Sequence, residues 1–149
     1  MALDRNLAHD HSFIGLGKTY SGRAEETEAH IGEAMRLSPR DTLAYIWMAL
    51  AGTAKCHLGI WEEAIAWFRR SIEANRNFPL SHFELAAALA QLGRQDEARS
   101  AVKAGLALNP TFSISRARAY YAARSSDPKH LAQLERLLEG LRMAGLPEQ

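Results

Sequence analysis

A chain of 149 residues with 47% hydrophobic and 23% charged side chains carries enough apolar material for a continuous core, which excludes a disordered polypeptide. Its net charge of +1 supplies no global field to draw it to nucleic acid or to an anionic lipid surface. Cys56 is the only cysteine, which excludes an intrachain disulfide and suits a reducing compartment.

The first stretch, Met1-Ala2-Leu3-Asp4-Arg5-Asn6, has neither the charge nor the apolar core of a secretory leader. Leu3 to Ala8 has the form of a junction between repeats, so residues 1–7 read as the stub of an earlier helix. Asn6 to Tyr20 is the first predicted helix, with Leu7, Phe13, Ile14, Leu16 and Tyr20 as its apolar set. Gly22 ends it, since glycine takes the left-handed conformation without a Cβ penalty. Arg23 to Leu37 follows, with Ala24, Ile31, Ala34 and Leu37 on its inner face, and Ser38-Pro39 stops it.

Asp41-Thr42 supplies an N-cap for a helix from Thr42 to Leu58, which is expected to be about one turn longer than its counterparts. Trp61 to Ala74 carries a broad apolar stripe through Ala64, Ile65, Phe68 and Ile72. Pro79 opens the next helix, where its missing N–H costs nothing, and Leu80 to Leu92 pairs with Gln95 to Leu108. Phe112 to Arg124 reads as a fourth first-position helix. After Ser126-Asp127-Pro128, the leucines at 131, 134, 138 and 141 mark a final helix over 128–144, expected to cap the open end of the array. No stretch alternates with period two, so no strand is expected.

One phrase occurs three times: Gly22-Arg23-Ala24-Glu25-Glu26, Gly59-Ile60-Trp61-Glu62-Glu63 and Gly93-Arg94-Gln95-Asp96-Glu97. The glycines are 37 and 34 residues apart. A helix–turn–helix period near 34 is that of a stacked α-solenoid, in which each pair buries its apolar face on the next. These residues resemble the tetratricopeptide repeat (TPR). The matching positions are Gly15, Gly22, Ala34 and Pro39; Gly52, Gly59, Ala64, Phe68 and Ser71; and Ala86, Gly93, Ala98, Gly105 and Pro110. Lys18 and Lys55 stand where a tyrosine is usual, Thr27 replaces an alanine and Arg76 a proline. The fold class expected is therefore all-α, a TPR-type α-solenoid of antiparallel helix pairs with a C-terminal capping helix. Its three motifs would span residues 8–41, 42–76 and 77–110, with residues 111–149 forming the fourth first-position helix and the cap.

The tail from Leu138 to Glu148 is similar to the ends of bacterial signalling proteins in which such repeats follow a class III adenylate/guanylate cyclase or a winged-helix domain. That resemblance implies a cytoplasmic regulatory module and transfers no catalytic residue. The expected function is a non-enzymatic protein–protein interaction scaffold within a larger signalling protein. A self-association module and the sensory region of a winged-helix regulator are the alternatives.

Other chemistry finds little support. Gly15-Leu16-Gly17-Lys18-Thr19 ends like a phosphate-binding loop but lacks the earlier glycine and the preceding strand that such a loop requires. His9 and His11 lie about 200° apart on a helix, which cannot converge on one metal ion. The glutamates at 25, 26, 62 and 63 sit where they complement helix dipoles. No cofactor, metal, catalytic group, nucleic-acid partner or membrane contact is expected.

In repeats of this class the first helices line a concave face, and the resemblance implies a partner groove at His9, Ser12, Leu16 and Thr19; Ile46, Ala49, Thr53 and Cys56; and Leu80, Phe83, Ala87 and Ala90. The set holds no Lys, Arg or Asn to clamp a carboxylate. Leu16, Ile46, Leu80 and Phe83 instead suit an apolar or amphipathic helix, from another protein or from elsewhere in the same chain.

Overall fold

The computed structural model describes residues 2–149, and among them every regular element is helical. The chain is all-α. Helices α1 (Ala2–Tyr20) and α2 (Thr27–Leu37) form a first pair, α2 being led in by a single 3-10 turn, Ala24–Glu26. Helices α3 (Ala44–Leu58) and α4 (Trp61–Ala74) form a second pair, and α5 (Pro79–Gln91) and α6 (Gln95–Leu108) a third. Helix α2 also packs on α3, and α4 on α5, so each pair leans on the next. Helices α7 (Ile114–Ala122) and α8 (Pro128–Met143) complete the chain.

The repeated phrase has one local cause. Gly22, Gly59 and Gly93 all take left-handed backbone, with φ of 75°, 72° and 76°. In each case the following N–H reaches back five residues: Arg23 to the Lys18 carbonyl at 2.8 Å, Ile60 to Lys55 at 2.9 Å, and Arg94 to Leu89 at 2.9 Å. This closing pattern satisfies a carbonyl that the helix end would otherwise leave free, and it reverses the chain in about two residues. Turns this short hold each pair antiparallel.

The small residues sit where helices cross. A Cβ on Gly52 would come within 2.5 Å of the Phe68 ring, and one on Gly105 within 2.7 Å of Phe83. Ser71 fills the corresponding place on α4, donating to the Tyr45 carbonyl at 2.7 Å and lying 2.7 Å from the Ser81 hydroxyl. Two of the residues that differ from the resembled pattern make polar contacts. The Thr27 hydroxyl donates to the Gly15 carbonyl at 2.9 Å, and Lys55 bridges Glu28 and Glu63 at 3.1 and 3.0 Å, tying α2 to α4.

Three expectations differ from the structure. Residues 2–7 continue α1 as helix instead of forming a junction, while Met1 lies outside the described residues. Helix α3 starts at Ala44 rather than Thr42, because the Asp41 carboxylate accepts from the Leu43 N–H at 2.9 Å and from Ser38 at 3.1 Å, holding residues 41–43 in a turn. The extra residues of the longer interval therefore lie mainly in that connection. The third difference is the largest. Helix α8 does not cover the end of the array beyond α6; it folds inward and packs on α5, α3 and α7.

Glycine makes that inward fold possible. A Cβ on Gly140 would lie 2.6 Å from the Ala87 carbonyl oxygen and 3.0 Å from its Cα, so backbone meets backbone at this crossing. Leu134, Leu137, Leu138 and Leu141 are buried behind it. Polar contacts fix the register: Arg136 donates to the His57 carbonyl at 2.8 Å, and Gln91 donates to the Arg136 carbonyl at 2.8 Å. The segment after α8 returns to α7, where the Ile114 and Ser115 N–H groups donate to the Pro147 and Glu148 carbonyls at 2.8 and 3.0 Å. Among the described residues no helix is long and apolar enough to cross a membrane.

Candidate functional site

The first-position helices α1, α3 and α5 present one face, and its two halves differ. Along α3, Ile46, Ala49 and Thr53 line an open cavity, whereas Cys56 and His57, one turn further on, are fully buried. The cavity has a volume of about 270 Å³. Helix α1 contributes His9, Ser12, Phe13, Leu16 and Tyr20, and α3 adds Trp47 and Leu50 to its three. Leu43, Phe78 and Leu80 close one side; Tyr120, Tyr121 and Arg124 reach in from α7 and the turn after it. Ser12, Trp47, Ala49, Thr53 and Tyr121 are its buried lining, while Phe13 is 70% and Tyr120 40% exposed at the rim.

Of the expected groove residues, the cavity brings together His9, Ser12, Leu16, Ile46, Ala49, Thr53 and Leu80. The others lie elsewhere. Thr19 is buried, its hydroxyl 2.8 Å from that of Thr27. Cys56, Ala87 and Ala90 have no exposed surface, and Ala87 lies under Gly140 of α8. Phe83 is likewise fully buried, stacked on Phe112 with centroids 4.3 Å apart and covered by Gly105. Phe83 is therefore a packing residue, because the chain itself occupies this half of the face.

A buried carboxyl underlies the cavity. Glu84 of α5 is 1% exposed and accepts from the Tyr121 hydroxyl. The Thr53 hydroxyl lies 2.9 Å from the Ala49 carbonyl and 2.5 Å from Glu84 Oε2. Thr53 has one proton to give, so a proton on Glu84 satisfies all these oxygens at once. Burial pushes the Glu84 carboxyl up to about 7, against the pull of its hydroxyl partners, which is consistent with that count. Burial also raises the Tyr121 phenol and the Cys56 thiol, in both cases reinforced by Glu84.

Beside this network lies a pair of buried imidazoles. His57 and His130 stack with centroids 5.1 Å apart, His57 Nε2 lying 3.1 Å from His130 Nδ1. His57 Nδ1 faces the Thr53 carbonyl at 3.0 Å, which places its proton there. Desolvation pushes His57 down to about 4, so it is neutral at pH 7. The pair joins α3 to α8 and reinforces the closed half.

The other motifs resolve into ordinary roles. Gly15 to Thr19 lies inside α1, with no loop to cradle a phosphate. His9 packs edge-on against Trp47 and lies 3.6 Å from Asp41, whereas His11 turns to His30 at 3.3 Å. Arg69 pairs with Glu97 and Arg118 with Glu135. Among the described residues no group of three or more His, Cys, Asp or Glu side chains is arranged to hold a metal.

Sequence reasoning missed Glu84, Tyr20, Tyr121 and Arg124. For Glu84 a signal existed: it is the one acid in Phe83-Glu84-Leu85-Ala86-Ala87-Ala88-Leu89-Ala90, and a helix apolar on all sides is buried on all sides. Arg124 had none, because its place depends on how α7 returns over the face. Comparison with protein-family models and with curated proteins finds no match for this chain.

Proposed function

We propose that this chain is a non-enzymatic interaction scaffold of the TPR-type solenoid class, whose open half-face holds an amphipathic helix of a partner protein. One observation carries the reading. The closed half of the same face already holds such a helix, α8, seated through buried leucines and a glycine contact. The open half continues from it along α3, with Ile46, Ala49 and Thr53 leading into Cys56 and His57. A second helix bearing apolar residues at i and i+3 or i+4 would place one or two of them in the cavity. The repeated glycine turns and the small residues at the crossings support the solenoid class. The tail's likeness to regulatory repeat regions supports a place in a larger cytoplasmic signalling protein of the cyclase or winged-helix kind.

A displayed library of amphipathic helical peptides tests it. Selected sequences should carry paired apolar anchors at helical spacing and lose binding to an Ile46→Glu chain of unchanged melting temperature. No enrichment, or selected peptides that bind Ile46→Glu equally well, would remove the reading.

A second reading rests on α1. Its Leu3, Leu7 and Ile14 are 66%, 43% and 45% exposed and share one helix face. That face suits a second copy of the chain. Light scattering should then show a mass that rises with concentration and returns to monomer in Leu7→Glu; a concentration-independent monomer would discard it.

A further inference from the structure

We propose that the 270 Å³ cavity is also a binding site for a small amphipathic carboxylate, an acid carrying a short acyl or aryl chain. This goes beyond helix docking and does not depend on it, since it needs only the cavity and its polar groups.

The Ser12 hydroxyl donates to the His9 carbonyl at 2.7 Å, and Thr53 and Tyr121 are engaged with Ala49 and Glu84. His9 is turned towards Asp41 and Trp47. These groups have little left to offer a ligand, and the buried wall behaves as apolar. Two donors remain. The half-buried Tyr20 hydroxyl has no hydrogen-bond partner among the described residues. Arg124 donates to the Tyr120 carbonyl and stacks over the Tyr120 ring at 3.5 Å, which orients its planar guanidinium. Among the described residues no acid lies within ion-pair distance of Arg124, nor of Arg40, Arg70, Arg76, Arg116 or Arg136, and of these Arg124 is the one that lines the cavity.

An O–H donor and a positively charged N–H donor lining one cavity call for an acceptor-only anion, and a carboxylate has the lone pairs to take both. Both groups line the same cavity, and burial raises the Tyr20 phenol, which keeps it a protonated donor. The rest of the ligand is set by the apolar walls, Leu16, Ile46, Leu50 and Leu80. A cavity of about 270 Å³ is at the small end of ligand pockets, which suits a short chain of about eight carbons. The same space cannot also hold a partner's side chain, so acid and helix would exclude each other.

Sodium octanoate is the probe, titrated into the full chain and followed by amide chemical shifts and calorimetry. Octan-1-ol and octylammonium, of equal chain length, are the controls. We expect octanoate to bind at least about tenfold more tightly than octanol, octylammonium to bind more weakly still, and shifts to centre on α1 and α3. Arg124→Gln and Tyr20→Phe should each weaken octanoate about tenfold and leave octanol unchanged, a readout that a folding defect would not produce. Octanoate no tighter than octanol, indifference to Arg124→Gln, shifts away from the cavity, or no binding at about 1 mM would overturn the proposal. Peptide selection succeeding alongside any of these would leave helix docking standing alone.

Discussion

The two halves of the inner face are made from the same kind of helix, yet one is closed and the other open. Phe83 and Phe13 show the contrast: the first is fully buried beneath Phe112 and Gly105, the second 70% exposed at the cavity rim. The closed half is not more apolar by design of its own helices. It is closed because α8 carries a glycine where α5 carries Ala87, which lets two backbones touch. Near α1 and the first half of α3 no helix among the described residues makes such a backbone contact; only Tyr120, Tyr121 and Arg124 reach in, and apolar surface there stays available.

Removing what closes one half is the strongest way to break the contrast. Deleting residues 127–149 takes away four fully buried leucines, each worth about 1.5–3 kcal/mol, less the ordering entropy released. That is comparable with the whole stability of a domain this size, so the expected outcome is loss of a cooperative unfolding transition and binding of an apolar dye. A truncated chain that melts as before would show α8 to be an appendage.

Next in size is Phe83→Ala, expected to cost about 3–5 kcal/mol in denaturant unfolding, as for a large core side chain that leaves a cavity. A loss below about 1 kcal/mol would mean that this half is looser than described.

The third prediction concerns pH. The unfolded chain protonates His57 near 6.5 and the folded chain only near 4, so stability falls as pH drops through that window. Glu84 acts in the opposite sense. It ionises near 4.5 when unfolded and near 7 when folded, so its contribution is full below 4.5 and is lost as pH rises towards 7. Between about pH 4.5 and 6.5 the two slopes oppose each other. Glu84→Gln, which keeps the shape and removes the titration, should expose the His57 slope of about 1.4 kcal/mol per pH unit. A variant with the same pH profile as the parent would contradict the buried, protonated carboxyl.

The smallest effect belongs to the open half. Phe13→Ser should change stability by no more than about 0.5 kcal/mol, since the side chain is mostly in water already. A loss of about 2 kcal/mol would show that Phe13 packs more than the structure indicates.

Much of this architecture was legible in the residues. The three glycines announce three turns because the left-handed backbone strongly favours glycine, and Gly52, Gly105 and Ser71 mark crossings because a ring or a backbone stands where a larger side chain would be. The direction of α8 was not legible. Leucines at 131, 134, 138 and 141 state which face is buried, not what buries it, and the end of the array and its inner face offer the same apolar chemistry. Gly140 held the clue, since a glycine inside a leucine stripe asks for close backbone approach. The open half was partly legible: seven of the positions implied by the repeat line the cavity, while Tyr20 and Arg124 reach it only through the placement of α7 and its return.

The strap that returns from α8 to the start of α7 gives the molecule an internal reporter. The amide protons of Ile114 and Ser115 are held by carbonyls of Pro147 and Glu148, residues on the far side of α8 in the chain. Their exchange with deuterated solvent therefore requires that distant segment to let go, and can proceed without unwinding α7 itself. These two amides should exchange in step with those of α8, timing each departure of the helix from the face it covers.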